Sequence, residues 1–241
     1  MQGPLPVLVC PRCRRADADG LHVGTLDPAG EGLRCQACGA EYPVVDGIPV
    51  IARDCAPLLA ADTPAGAELA DIYARSQAGP LQDWLRDVVP AGALELGGGV
   101  GVRPGTVVLD QGLGMLRRAR AAGAWSCVCA DLLDPPFLPG AFDVVVLANV
   151  LDLVSDPLLA FQQAFALAGP AGRIVVTCPY AFTGDGPPGF TPADLGGGFG
   201  ASQAGALALT EAHELDWPLR TTGRLTHVHR TDAFVFEKRP S

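Results

Sequence analysis

A chain of 241 residues with 49% hydrophobic side chains can bury a sizeable core, as one large domain or as a small module joined to a medium one. The net charge of −9 argues against general nucleic-acid binding, which needs a basic face to neutralise phosphates. With 30 glycines and 22 prolines, the composition stays just short of that of disordered chains.

The opening segment, MQGPLPVLVCPRC, lacks a basic stretch followed by a long apolar run, so no signal peptide is expected. The longest apolar run, Val144 to Ala148, falls far short of the about 20 residues that cross a bilayer. A soluble, cytoplasmic protein is the expectation. The N-terminal arginines Arg12, Arg14, Arg15, Arg34 and Arg53 restore no basic face. They are outnumbered by Asp17, Asp19, Asp27, Glu31, Glu41 and Asp46.

Four of the eight cysteines sit in paired units, Cys10-Pro-Arg-Cys13 and Cys35-Gln-Ala-Cys38, with residues 14–34 between them. Each unit puts two thiolates on one tight knuckle, and two knuckles can close a tetrahedron around zinc. Gly39 follows the second pair, where a knuckle needs a residue that tolerates positive φ. A redox dithiol is the competing reading, but the pair is repeated and no thioredoxin-like βαβ pattern follows either copy. Four thiolates would fill the coordination of Zn2+, so the metal is structural and Cys10, Cys13, Cys35 and Cys38 are its ligands. The remaining cysteines, Cys55, Cys127, Cys129 and Cys178, read as small apolar residues.

The stretch from Cys38 to Ile51 (CGAEYPVVDGIPVI) resembles the small zinc-ribbon proteins that partner RNA and protein methyltransferases. The same ribbon is fused to the N-terminus of many bacterial methyltransferases. The resemblance spans residues 8–51 and implies a platform for the neighbouring domain. Residues 1–53 are therefore expected to form the ribbon, 54–64 a linker and 65–241 the second domain.

Helical spacing of Leu69, Ile72 and Tyr73 predicts a helix over 67–77, broken by Gly79-Pro80. A second helix over 81–88 carries Trp84, Leu85 and Val88 on one side. A buried strand at Ala93 then runs into the loop Gly97-Gly-Gly-Val-Gly101, where a G-x-G-x-G turn lets backbone approach a ligand. A strand over 106–110 ends in Asp110, suited to a ribose diol. Helix follows around Met115, then strands over 125–129, 142–147 and 173–178. Strand alternating with helix predicts an α/β, doubly wound parallel sheet. Glu95, the glycines, Asp110, Asp131 and Asn149 would gather at the carboxyl ends of its strands.

The whole run resembles class I S-adenosylmethionine-dependent methyltransferases. The resemblance implies that Gly97, Gly99 and Gly101 surround the methionine part of S-adenosylmethionine, that Asp110 binds the ribose, and that Asp131 with Leu132 binds the adenine. Glu95 and Asn149 complete the expected cofactor set. A nicotinamide-binding fold is the alternative for a glycine loop followed by an acid.

The sequence departs from that family at one place. Only Val102-Arg-Pro-Gly105 lies where a crossover helix should join the glycine loop to the next strand. Extended chain at about 3.3 Å per residue can still retrace a short strand there, but a helix cannot form. The expected architecture is thus a Rossmann-like methyltransferase sheet lacking its first crossover helix. One sheet face loses cover, so the ribbon, a second copy of the chain in a homodimer, or a protein partner is expected to pack there.

Near the C-terminus, Cys178-Pro-Tyr-Ala-Phe-Thr, the segment Phe190 to Phe199, and Asp216-Trp-Pro-Leu-Arg-Thr-Thr-Gly-Arg-Leu loosely resemble the methyltransferase domain of ovothiol-biosynthesis enzymes. A tryptophan that those enzymes carry in the leucine-glycine segment is absent here. The resemblance implies a small heteroaromatic substrate. Tyr180, Trp217 and Arg220 are candidate substrate contacts, since aromatic faces and a guanidinium hold planar or carboxylated ligands. Asp152 and Tyr180 are the candidate catalytic bases. His227 and His229 share a strand face, either as a metal pair or, more commonly for such histidines, solvated. The expected function is methyl transfer to nitrogen or sulfur of a small molecule, with a catalytically degenerate scaffold or partner subunit as the alternative.

Overall fold

The computed structural model describes residues 6–17, 20–182, 191–197 and 206–239. Residues 1–5, Thr183, Phe190 and the 198–199 end of the C-terminal segment named above lie outside that set. The N-terminal region opens with β1 (Arg15–Asp17) and β2 (Gly20–His22), an antiparallel pair. Strands β3 (Leu26–Ala29), β4 (Gly32–Cys35), β5 (Glu41–Val45) and β6 (Ile48–Pro49) then form a four-stranded antiparallel sheet in chain order.

Three helices follow: α1 (Ala56–Ala60), α2 (Pro64–Arg75) and α3 (Pro80–Val88). Each has proline in its first turn, where the missing N–H is no loss. Thr63 caps α2, its hydroxyl accepting from the Gly66 N–H at 3.3 Å. The expected linker over 54–64 is thus partly helical, and Leu58 of α1 is buried.

The chain continues with β7 (Leu94–Leu96), β8 (Val107–Asp110), α4 (Leu113–Ala121), β9 (Ser126–Cys129), β10 (Phe142–Ala148) and α5 (Pro157–Leu167). Then come β11 (Ala168–Cys178), the short α6 (Pro192–Gly196), β12 (Leu207–Arg220) and β13 (Thr226–Lys238). Seven strands pair in the order β12-β13-β11-β10-β7-β8-β9. The five from β11 to β9 are parallel, while β13 and β12 add an antiparallel hairpin. The Gly169-Pro-Ala-Gly172 segment is an irregular start to β11, ahead of the strand expected over 173–178, with Ala171 at φ 57° and a register shift opposite Phe142 to Val144.

Alternation along the strands divides the core into two faces. Leu94, Leu96, Leu109 and Val128 point to one face, where they meet Phe161 of α5 and, from the N-terminal region, Cys10, Leu26, Cys35, Tyr42 and Ile51. On the other face, Leu81 and Leu85 of α3 cover Val144, Val146 and Val175, while Leu113 and Leu116 of α4 cover Val108 and Cys127.

Residues 97–106 contain no helix, as the spacing predicts. The ribbon does not fill the resulting gap, contrary to one of the expectations above. It packs mainly on the opposite face, because Leu94 and Leu96 point there while Glu95 points toward the gap. Within the chain, the loop itself closes much of the gap: Val100 is buried and Val102 packs against the α3 cluster. The ribbon instead covers a second helix-free crossover, residues 130–141 between β9 and β10. There Leu8 bridges Phe137, and the Val9 N–H donates to the Pro136 carbonyl at 3.0 Å.

The ribbon also meets the outer edge of the seven-stranded sheet at the carboxyl end of β9. Val50 bridges Cys129 in parallel, and the Ile51 N–H donates to the Cys129 carbonyl at 2.8 Å. Two of its arginines, the largely buried Arg14 and the exposed Arg53, pair with Asp134 of that crossover. From α4, Arg117 forks onto Asp62 at 2.7 and 2.8 Å and reaches Asp46 at 2.8 Å.

Candidate functional site

Two sites emerge. In the ribbon, the sulfurs of Cys10, Cys13, Cys35 and Cys38 all lie within 4.8 Å of one another. The Cys10–Cys38 and Cys13–Cys35 sulfurs are 3.7 and 3.6 Å apart. A tetrahedron with metal–sulfur bonds of about 2.3 Å needs sulfurs about 3.8 Å apart, so the set fits Zn2+. The Tyr42 hydroxyl lies 2.9 Å from Cys10 Sγ and, by donating, would steady a thiolate there. Gly24 leaves the room the cluster needs, since a Cβ there would overlap the sulfurs of Cys35 and Cys13. No other group of three or more candidate metal ligands gathers among the described residues. His229 instead lies 5.3 Å from Trp217, ring to ring, and His227 is exposed opposite Leu219.

The second site is a cavity of about 220 Å³ at the carboxyl ends of β7, β8 and β10, where strand order reverses and open α/β sheets bind ligands. Its floor is the loop 97–102, its walls carry Asp110, Met115 and Asn149, and α2 and α3 roof it with Leu69, Tyr73 and Gln82. Gly97, at φ 62°, is packed so tightly that a Cβ would overlap Val150. Gly99, at φ 56°, faces open space, which leaves its backbone approachable.

Asp110 ties this loop to β8. Its Oδ2 accepts from the Gly99 N–H at 2.9 Å and its Oδ1 from the Gly112 N–H at 2.7 Å. Burial pushes its pKa up, against the pull of those amides. Each carboxylate oxygen keeps acceptor capacity for a diol. Asn149, in the left-handed region at φ 51°, is fixed by the Thr177 hydroxyl donating to its Oδ1 at 2.6 Å.

Of the candidate cofactor residues, Gly97, Gly99, Gly101, Asp110 and Asn149 line the cavity. Glu95 does not. It is buried beneath the loop, and its Oε2 accepts from the Val102 N–H at 2.8 Å, so it holds the loop rather than facing a ligand. Asp131 accepts from the Leu133 N–H at 2.9 Å, and Leu132 is buried in the core; neither lines the cavity.

Of the substrate candidates, Trp217 lines the cavity. Tyr180 lies outside it, with its hydroxyl donating to Asp232 Oδ2 at 3.1 Å, and burial raises its pKa. The Arg220 side chain is exposed and away from the cavity. Asp152 is buried, its Oδ2 accepts from the Ala181 N–H at 2.8 Å, and burial raises its pKa. Gln82, Met115 and Leu153 are cavity residues that the sequence reading passes over. A signal for Gln82 exists, because it shares the buried side of α3 with Leu81 and Leu85.

Comparison with known proteins agrees with this geometry. Residues 99–176 match the family described as methyltransferase domain, and residues 5–47 match the family described as Trm112p-like protein. No curated protein matches the chain significantly.

Among solved structures, a complex between the Haloferax volcanii Trm112 methyltransferase activator and a methyltransferase is similar. The match has TM-score 0.55 and 16% identity over 73% of this chain and 96% of that one. A structure reporting conversion of a disulfide bond into a thioacetal group during echinomycin biosynthesis aligns with TM-score 0.51 and 15% identity, over 72% of this chain and 91% of that one. The [4+2]-cyclase SpnF aligns with TM-score 0.50 and 14% identity, over 67% and 80%. At such identities the likeness is one of fold, and a cyclase among the matches shows that the fold alone does not fix the reaction. The chain joins a Trm112p-like zinc-ribbon segment to a methyltransferase domain of the class I fold.

Proposed function

We propose that the chain is an S-adenosylmethionine-dependent methyltransferase acting on a nitrogen or sulfur atom of a small molecule, with its own ribbon as a built-in stabilising partner. The observation that carries this reading is the cavity at the strand-order reversal, which joins the glycine loop, Asp110 and Asn149 under a roof of α2 and α3. In it, Asp110 is suited to a ribose diol, Met115 and Leu153 offer apolar contact to a flat base, and Gly99 exposes backbone. S-adenosylmethionine, when bound, supplies an electrophilic methyl group. The protein's part is to orient the two reactants and exclude water, which suits a transfer that relies on positioning. The Haloferax volcanii complex supports reading the ribbon as an activator module joined in cis, held by the Val50–Cys129 bridge and the Arg14–Asp134 pair. The four cysteines would hold one structural Zn2+.

A second reading, a methyltransferase-shaped scaffold without activity, is favoured by one observation. Without a crossover helix after β7, no helix N-terminus directs its amides and partial positive charge toward the cofactor's carboxylate. Calorimetric titration of the whole chain with S-adenosylmethionine and S-adenosylhomocysteine separates the two. Saturable binding of either supports the enzyme; no heat and no thermal shift at millimolar ligand leaves the scaffold.

A further inference from the structure

The helix-free link from β7 to β8 leaves a second space beside it. A cavity of about 330 Å³ is bounded there by residues 100–104, the end of α2, α3 and α4. It adjoins the candidate cofactor cavity, since Gln77, Val100, Gly101 and Val102 line both. The charge of the two differs in sign. Asp110 is the charged residue that lines the cofactor cavity, whereas Arg86, Arg103 and Arg118 line this one and, among the described residues, no carboxylate does.

The nearby acids have their own places. Asp83 holds Arg86 Nη2 at 2.5 Å and Asp71 pairs with Arg118, both from outside the cavity lining. Glu95 is buried under the loop, where it accepts from the Val102 N–H. Arg103 is different. It has no carboxylate partner among the described residues, and its Nη1 donates to the Val89 and Arg86 carbonyls at 2.7 and 3.3 Å. Those bonds fix the guanidinium against the end of α3 and use one nitrogen. Nε and Nη2, the opposite edge of the planar group, make no hydrogen bond within the described residues. Two parallel N–H groups of that edge match two oxygens of a carboxylate or phosphate.

Three guanidinium groups around one concavity repel one another, and a cleft lined by one sign of charge concentrates the opposite ion. In a chain of net charge −9, this cluster is set against the prevailing sign. We propose that the cavity beside the β7–β8 link is an oxyanion site for a small molecule, with Arg103 gripping a carboxylate or phosphate through its Nε–Nη2 edge and Arg86 and Arg118 adding positive charge. Its volume suits a small organic anion or a pyrophosphate. The oxyanion has two sources, a separate acidic molecule or the carboxylate of S-adenosylmethionine. The site itself does not depend on the methyltransferase reading.

The test is calorimetry on the whole chain at constant ionic strength, with inorganic pyrophosphate and succinate as probes, each with and without saturating S-adenosylhomocysteine. Pyrophosphate should saturate one site. Arg103→Gln should weaken it about tenfold or more, and Arg118→Gln a few-fold, whereas Arg224→Gln, at an exposed arginine of the β12–β13 turn, should leave it unchanged. If S-adenosylhomocysteine displaces pyrophosphate, the site takes the cofactor's carboxylate; if both bind together, it takes a separate anion.

Saturation by neither probe, or equal losses in Arg103→Gln and Arg224→Gln, would overturn the proposal. Arg118→Gln, on an exposed position of α4, keeps the comparison decisive if Arg103→Gln does not fold. Failure of S-adenosylhomocysteine to bind while pyrophosphate saturates and depends on Arg103 would remove the methyltransferase reading and leave the oxyanion site in place.

Discussion

Glu95 sits under the glycine loop, fully out of water, with one oxygen held by the Val102 N–H and the other, Oε1, without a partner. Burial pushes its pKa up from 4.5 to about 7. Between those values the folded chain keeps a proton that the unfolded chain has released, so stability is greatest at the acid end and declines as pH rises through the window. Thermal melts from pH 5 to 8 should show this decline, and Glu95→Gln, which keeps the acceptor for Val102, should flatten it. Asp110 makes the complementary prediction. Asp110→Ala should lower affinity for S-adenosylmethionine about tenfold or more, since it removes both the diol acceptor and the clamp on Gly99. Unchanged affinity by calorimetry would show that the ribose lies elsewhere.

Among the secondary-structure elements, the contact of α2 with α4 sets the height of the cavity roof. A Cβ on Gly114 of α4 would come within 3.3 Å of the Ala67 backbone on α2, so the two helices approach at a residue that has no side chain. Gly114→Leu should push α2 outward, destabilise the chain by about 1–3 kcal/mol, and weaken cofactor binding. A denaturant melt alongside calorimetry checks both effects.

Part of this architecture is legible in the amino-acid sequence. The helix-free link from β7 to β8 was readable because Val102-Arg-Pro-Gly105 is too short for anything else, and the cysteine knuckles and the Asp110 strand end were readable from local pattern. Helix α1 was not, because Ala56–Ala60 is one short turn followed by polar residues. Strand β12 was obscured by Pro218 and by faces of mixed polarity. Adenine contacts assigned to Asp131 and Leu132 followed family position, and the structure adds only that Leu132 is buried beside Gly97. Which face the ribbon covers depends on side-chain direction in distant strands, and no local pattern encodes that.

For the molecule as a whole, the ribbon and the sheet share one core, with Cys10, Cys35 and Tyr42 in the same cluster as Leu96, Leu109 and Phe161. Stripping Zn2+ with a strong chelator should therefore lower the melting temperature of the entire chain in a single transition, because metal-coupled folding free energy also supports the sheet. A calorimetric scan with a separate transition at an unchanged temperature would show that the second domain stands alone.

The bridge between Val50 and Cys129 bears on solubility. Strand β9 ends the sheet, and the bridge covers its carboxyl end at Cys129 while the ribbon packs on the apolar surface of Leu94, Leu96 and Val128. Bare strand edges of this kind recruit other strands and seed aggregates. A shortened chain beginning near residue 65 would carry every residue of the candidate cavity, yet it should accumulate as insoluble material. The ribbon would then act as a permanent edge guard as well as a platform, and a soluble fragment in a sedimentation assay would refute that.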